Sequence, residues 1–214
     1  IYDFHLLVCR MHILLRDIKT GNEDFKILFV GRISKEKGIF NLLNALQKVY
    51  LRGRKVKLQL AGDCSFRIKN RIYLKYKELD VDFLGNISYK KLSILYSSCS
   101  LGIVPSLHEQ CSYVAIEMSM FGMPMIVSDV DALSEMFEDE VNALKIPLVF
   151  DEDFGLELDE EKLTDAIIRL IDDKVLRQKL SENAIKNYRE KFTLDNMIEN
   201  TINVYEQLIQ QDNA

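Results

Sequence analysis

The stretch "SLHEQCSYVAIEMSMFG" (106–122) holds two carboxylates, Glu109 and Glu117, in the pattern E-x7-E. From Tyr113 onward it reads as an apolar helix: Val114, Ala115, Ile116, Met118, Met120 and Phe121. At about 100° per residue, Glu117 falls between the directions of Met120 and Phe121, beside Val114. A helix that is apolar all round is buried, and a buried carboxylate without a partner costs several kcal/mol, so Glu117 needs a partner. Paired carboxylates can serve as acid and base in hydrolysis. Here their roles must differ, since Glu109 precedes the helix and Glu117 lies within it. The plainer alternative is a structural carboxylate, paired with a lysine or capping a neighbouring helix. Ser112 can cap this helix and turn its N–H groups toward an anion, or cap it with no ligand at all. His108 can act as a base or simply hold one loop hydrogen bond. Nothing near Cys111 marks it as activated, and a packing thiol is the simpler reading.

"VGRISKEKG" (30–38) carries the second candidate. A strand end is followed by Gly31 and Arg32, then by Lys37 and a glycine where a helix should start. The spacing is neither a G-x-x-x-x-G-K-[ST] phosphate loop nor G-x-G-x-x-G. It still sets two cations and helix N-terminal N–H groups side by side, which suits a phosphate or diphosphate. From spacing alone, ordinary solvated charge is the simpler reading.

The elements around these residues alternate. After the polar break "KTGNED" (19–24), strands are expected at 26–31, 55–62, 81–85, 101–106, 124–129 and 143–148. Helical spacing falls at 38–50, 67–79, 89–99, in the helix after Ser112, and near 132–138, and everything after about 160 reads as helical. Strand–helix alternation with brief connections predicts an α/β fold: a doubly wound, parallel, six-stranded sheet with helices on both faces and a helical C-terminal tail. Ligands of such sheets bind outside the carboxyl ends of the strands. That rule gathers the loops 31–37, 85–88 and 105–112, and with them Gly31, Arg32, Lys37, Gly85, His108 and Glu109. The methionines at 118, 120, 123 and 125 are core filler.

Composition narrows the function. The 214 residues carry a net charge of −5, which argues against a general nucleic-acid binder but leaves room for a local basic pocket. Cys9, Cys64, Cys99 and Cys111 form no C-x-x-C, and with only His5, His12 and His108 no zinc pattern emerges. Free thiols in a reducing cytoplasm fit this usage. No run of about 18 apolar residues predicts a transmembrane helix. The opening "IYDFHLLVCRMHILLR" is too interrupted for one and lacks the marks of a signal peptide. The chain begins at Ile1, which reads as the end of something larger.

Taken together, "ILFVGRISKEKGIFNLLNAL", "FLGNISYKKLSILYSSCSLGIVPSLHEQCSYVAIEMSMFGMPMIVSD" and "LSEMFEDEVNALKIP" resemble the donor-binding half of retaining glycosyltransferases with the two-domain GT-B architecture (family four, group 1). "EQCSYVAIE" resembles a bacterial subgroup most, and the likeness covers roughly 26–210. The terminal "REKFTLDNMIENTINVYEQLI" is similar to this family's last helix, which normally returns to the N-terminal domain. The resemblance implies three segments. Residues 1–25 would be a remnant or linker, 26–190 a Rossmann-like nucleotide-sugar-binding domain, and 191–214 a helix for the missing N-terminal domain.

The resemblance also implies roles. Arg32 and Lys37 would hold the donor diphosphate and stabilise its developing charge. Glu117 would accept hydrogen bonds from the ribose hydroxyls. Glu109 would lie by the donor sugar. The backbone of Cys111, Ser112, Tyr113 and Val114 would meet phosphate and sugar, with Gly31 beside them, while Gly85 and Asn86 would flank the base. No metal and no cofactor is expected. The donor would be a UDP- or GDP-sugar, and the acceptor a glycan, lipid or protein bound through the absent domain. The setting would be cytoplasmic polysaccharide biosynthesis, with peripheral association at the inner face of the membrane within its scope. Two departures stand out. Family members commonly show Gly where Gln110 and Ser112 stand, and a Gly pair in place of Asp131-Ala132. The second puts the sugar-proximal loop in question. A GT-B epimerase or phosphorylase, or a nucleotide-binding module without chemistry, is the competing expectation.

Overall fold

The first strand, β1 (Phe25–Val30), shows why its sequence is a continuous apolar run instead of an alternation. Ile27 and Phe29 are buried in one hydrophobic cluster, while Leu28 is buried in the other, on the opposite face. A strand covered on both faces needs apolar residues at every position. The structure is a computed structural model describing residues 25–153 and 155–212; the expectations for residues 1–24 fall outside that range.

The other sheet strands are β2 (Val56–Ala61), β3 (Asp80–Gly85), β4 (Leu101–Val104), β5 (Met125–Ser128) and β6 (Leu144–Ile146). They form one parallel sheet in the order β3-β2-β1-β4-β5-β6. The order reverses between β1 and β4, and the crevice outside that point is where such sheets take ligands. In β1–β2 the pairing runs from Phe25↔Val56 to Val30↔Ala61, so both strands end level and their following glycines lie side by side.

Helices α1 (Ile39–Leu51), α2 (Phe66–Lys75) and α6 (Glu160–Asp172) supply the cluster on one face. In α1, Ile39, Leu42, Leu43, Leu46 and Val49 are buried at helical spacing, each contributing about 1.5–3 kcal/mol. Helices α3 (Tyr89–Ser98), α4 (Tyr113–Met120) and α5 (Asp131–Met136) supply the other. The long α7 (Lys174–Lys191) closes the edge: Leu176 and Leu180 join the first cluster and Ala184 the second. Its Ser181 hydroxyl donates to the Gly122 carbonyl at 2.5 Å, and the Asn187 amide donates to the Met136 carbonyl at 3.0 Å. The last helix, α8 (Leu194–Asp212), leaves Met197, Ile198, Ile202, Tyr205 and Leu208 exposed.

The expected strand at 143–148 is corrected. Proline at 147 lacks an N–H and breaks it, so β6 ends at Ile146 and Leu148 begins a separate strand. That strand, β7 (Leu148–Asp151), pairs antiparallel with β8 (Gly155–Leu158), a hairpin the sequence reading did not contain. The hairpin is anchored near the carboxyl end of β1. Glu157 on β8 accepts from the Asn41 amide at 2.9 Å and pairs with Lys35 at 3.0 Å, tying it to α1 and the preceding loop.

Candidate functional site

Three glycines end the strands on one side of the crevice. The Gly31 N–H donates to the Ala61 carbonyl, and the Gly62 N–H to the Gly85 carbonyl, both at 2.9 Å. A Cβ on Gly62 would sit 2.0 Å from the Gly31 carbonyl oxygen, so only glycine allows this approach. The resulting cleft, of about 380 Å³, is lined by Gly31, Arg32, Gly62, Asp63, Asn86 and Leu92 among others. The sequence reading placed Gly31, Arg32, Gly85 and Asn86 at this edge but passed over Gly62. Its signal was available, since a glycine closing the strand pattern "KVKLQLAG" marks close backbone approach.

On the other side of the switch point the loops after β1 and β4 are fastened together. The helix α1 starts at Gly38, in a left-handed conformation and with no side-chain cap. A Cβ there would lie 1.8 Å from the Pro105 carbonyl oxygen, so Gly38 fixes how closely the loops meet. The Leu107 N–H donates to the Glu36 carbonyl at 3.0 Å. Lys37 Nζ then reaches Glu109 Oε2 at 2.7 Å, with the carboxylate 13% exposed. Two residues 72 apart in sequence are thereby one charged unit, with cation and anion already positioned. Below the loop, the Ser128 hydroxyl donates to the Ser106 carbonyl at 2.5 Å and braces it on β5.

Ser112 caps α4: its buried hydroxyl oxygen accepts from the Ala115 N–H at 3.3 Å. Cys111 is a free, exposed thiol, Tyr113 is exposed at the helix start, and Val114 packs partly buried against the second cluster. His108 is exposed.

The partner Glu117 requires is a tyrosine on α3, not a lysine. The Tyr96 hydroxyl donates to Glu117 Oε2 at 2.7 Å, and the Tyr96 ring is fully buried against Phe121, with ring centroids 5.5 Å apart. Burial, and then the Glu117 carboxylate, push the Tyr96 hydroxyl above the usual tyrosine range, so it stays a donor at neutral pH. Sequence reasoning missed Tyr96, because nothing local to α3 marks which of its tyrosines turns inward. Glu117 does not line the Arg32 cleft; its link to that cleft runs through α3, which carries both Tyr96 and Leu92.

Beyond β5, Asp129 pairs with Lys145 at 2.8 Å, and that lysine, with the Ser134 hydroxyl, holds its carboxyl below the usual range. Asp131 is exposed in the first turn of α5 and Ala132 is partly buried, where the resemblance expected a glycine pair. Among the described residues, no three His, Cys, Asp or Glu side chains are grouped to hold a metal.

Residues 14–187 match the family model of glycosyl transferases group 1. The chain belongs to this family. It is 31% identical over 192 residues to the glycosyltransferase MJ1607 of Methanocaldococcus jannaschii, covering 89% of this chain and 47% of that protein. Sucrose-phosphate synthase from Thermosynechococcus elongatus superposes with a TM-score of 0.74 at 25% identity, over 92% of this chain and 48% of that one. Anabaena HepE in complex with UDP and glucose gives 0.72 at 20% identity, over 92% and 52%. The chain thus spans about half the length of each of these three relatives. Among its described residues no helix is long and apolar enough to cross a membrane.

Proposed function

We propose that this chain is the donor-binding half of a retaining glycosyltransferase that uses a UDP- or GDP-sugar. The observation that carries the reading is the Lys37–Glu109 pair at 2.7 Å, which joins the loops after β1 and β4 at the switch point of a group 1 family member. In this reading the diphosphate lies against Arg32, Lys37 and the N-terminal backbone of α4 (Cys111, Ser112, Tyr113, Val114). The base enters the cleft at Gly31, Gly85 and Asn86. The ribose hydroxyls donate to Glu117, whose other tie is the Tyr96 hydroxyl. That HepE, which shares the fold, is found in complex with UDP supports a nucleotide ligand for this chain.

As the bond between the sugar carbon and the diphosphate oxygen breaks, the electron pair stays on the diphosphate. Arg32 and Lys37 take up the charge that grows there. Glu109 has a fixed cation on one side and faces the positive sugar carbon on the other. An acceptor hydroxyl then bonds to that carbon and passes its proton to the departing diphosphate oxygen. The acceptor, a glycan, lipid or protein, is held by a further domain, so the donor domain alone binds nucleotide without transferring sugar: half a cleft neither orients the acceptor nor excludes water. The helix α8 serves that domain, and the enzyme works in the cytoplasm. A calorimetric panel of nucleotide sugars against this chain tests the proposal. Binding of one nucleoside diphosphate and its sugars supports it; binding of none, or robust transfer to an added acceptor by this chain alone, overturns it.

A further inference from the structure

On the flank away from α6, the α2 surface differs from the rest of the molecule. The stretch "CSFRIKNRIYLKYK" (64–77) contains Arg67, Lys69, Arg71, Lys75 and Lys77 and no acidic residue, in a chain whose net charge is −5. On the α1–α6 flank, by contrast, Lys48 and Arg52 pair with Glu161 at 2.8 Å, and Arg54 pairs with Asp172 at 2.9 Å. Among the described residues, none of the five cations of this stretch forms an ion pair. Lys69 and Arg71 instead lie over the rings of Phe83 and Phe40, at 5.0 and 4.5 Å, contacts that hold the side chains in place and leave their charge unpaired.

The apolar residues are as unusual as the cations. Helix α2 buries only Ile72, and Tyr76 is buried just beyond its end. At about 100° per residue, the face opposite Ile72 carries Phe66, Arg67, Asn70 and Leu74. Phe66 is 82% exposed and Leu74 75%, with Tyr73 at 52% on the flank. Large apolar groups interleaved with unpaired cations along a helix that lies flat on the molecule match the chemistry of a lipid interface. The rings and chains enter the headgroup boundary while the cations meet anionic phosphates. A water-soluble protein partner of this net-acidic chain would need acidic groups and an apolar pocket at matching intervals. An anionic bilayer offers both everywhere.

We propose that the exposed face of α2, through Phe66, Leu74, Arg67 and Arg71 with Lys75 and Lys77 beside them, docks this chain on an anionic membrane surface. The surface shares no residue with those assigned to the nucleotide, so the two proposals fail or hold separately. Co-sedimentation with phosphatidylcholine vesicles, with and without an equal part of phosphatidylglycerol, tests it. The parent chain should bind only the anionic vesicles, and less as salt rises. Arg67→Glu/Arg71→Glu should lower partitioning at least about 25-fold, taking about fivefold for each positive charge removed. Phe66→Ser/Leu74→Ser should also lose binding, while Lys55→Glu/Lys174→Glu, the same charge change at exposed sites elsewhere, should bind closer to the parent. Circular dichroism of each variant checks folding; both α2 pairs replace exposed side chains, so one of them remains informative if the other misfolds. Three results would overturn the proposal. One is equal binding to both vesicle types, and another is binding that falls as much in the control pair as in the arginine pair. The third is absence of binding to the anionic vesicles by the parent; self-association that Phe66→Ser/Leu74→Ser abolishes would then assign the face to a second copy.

Discussion

Replacing Tyr96 by phenylalanine removes one oxygen and tests how Glu117 is held. The ring is fully buried and packs on Phe121, so the substitution keeps its volume and contacts. What is lost is a 2.7 Å hydrogen bond to Glu117. Bonds to a charged group contribute about 1.5–3 kcal/mol. Glu117 is only partly buried, so water can replace part of the bond, and a loss near about 1.5 kcal/mol is expected. At about 2–4 °C per kcal/mol for a domain of this size, Tm should fall about 3–6 °C. Urea unfolding of the parent, Tyr96→Phe, Glu117→Gln and the double variant gives the coupling directly. It should exceed about 0.5 kcal/mol, the scatter of independent sites. The pH dependence has a definite sign. Because the folded hydroxyl titrates above its unfolded value, its contribution is complete below about pH 10 and is lost as pH rises beyond it. Tyr96→Phe should therefore show a shallower alkaline decline than the parent. Additive losses and identical alkaline slopes would refute the account of how Glu117 is satisfied.

Further outcomes follow from the same geometry. Arg32→Ala should weaken a nucleoside diphosphate by about 1.5–3 kcal/mol and the bare nucleoside hardly at all, by calorimetry; equal losses would make Arg32 a fold residue. In an enzyme with its acceptor domain, Glu117→Gln should mainly raise donor KM, since ribose is unchanged by the reaction. Glu109→Gln should mainly lower kcat, by about 100-fold or more, because charge builds beside it only in the transition state, and steady-state kinetics separate the two. Gly38→Ala places a Cβ 1.8 Å from the Pro105 carbonyl oxygen and should cost over about 2 kcal/mol in urea unfolding. Gly31→Ala meets nothing within 4 Å and should cost less.

The sheet and its switch point were legible because β strands buried on both faces announce themselves as short apolar runs between helical spacings. "KILFVG" and "LGIVPS" became β1 and β4, the two strands that flank the switch point. The hairpin at 148–158 was not legible. Its strands are four residues each and half-exposed, and the run "ALKIPL" hides the break that Pro147 imposes. The need for a partner at Glu117 followed from helix geometry, but Tyr96 as that partner did not, since the contact crosses 21 residues and two helices. The joining of Lys37 to Glu109 also lies beyond sequence spacing. Each residue was chosen for its type, and it takes the Gly38–Pro105 approach and the Leu107–Glu36 hydrogen bond to bring them to one point.

The central claim is that a nucleoside diphosphate binds this edge with its ribose on Glu117. Its most direct test is calorimetric titration of UDP and GDP, and of their 2′,3′-dideoxy forms, into the parent and Glu117→Gln. The parent should bind UDP or GDP and lose about 10-fold or more when the hydroxyls are removed, and Glu117→Gln should lose a similar amount for the intact nucleotide. In the variant, the dideoxy form should bind as well as the intact one. A Glu117→Gln chain that binds the intact nucleotide as tightly as the parent would contradict the ribose assignment, and a parent that binds neither UDP nor GDP would contradict the account as a whole.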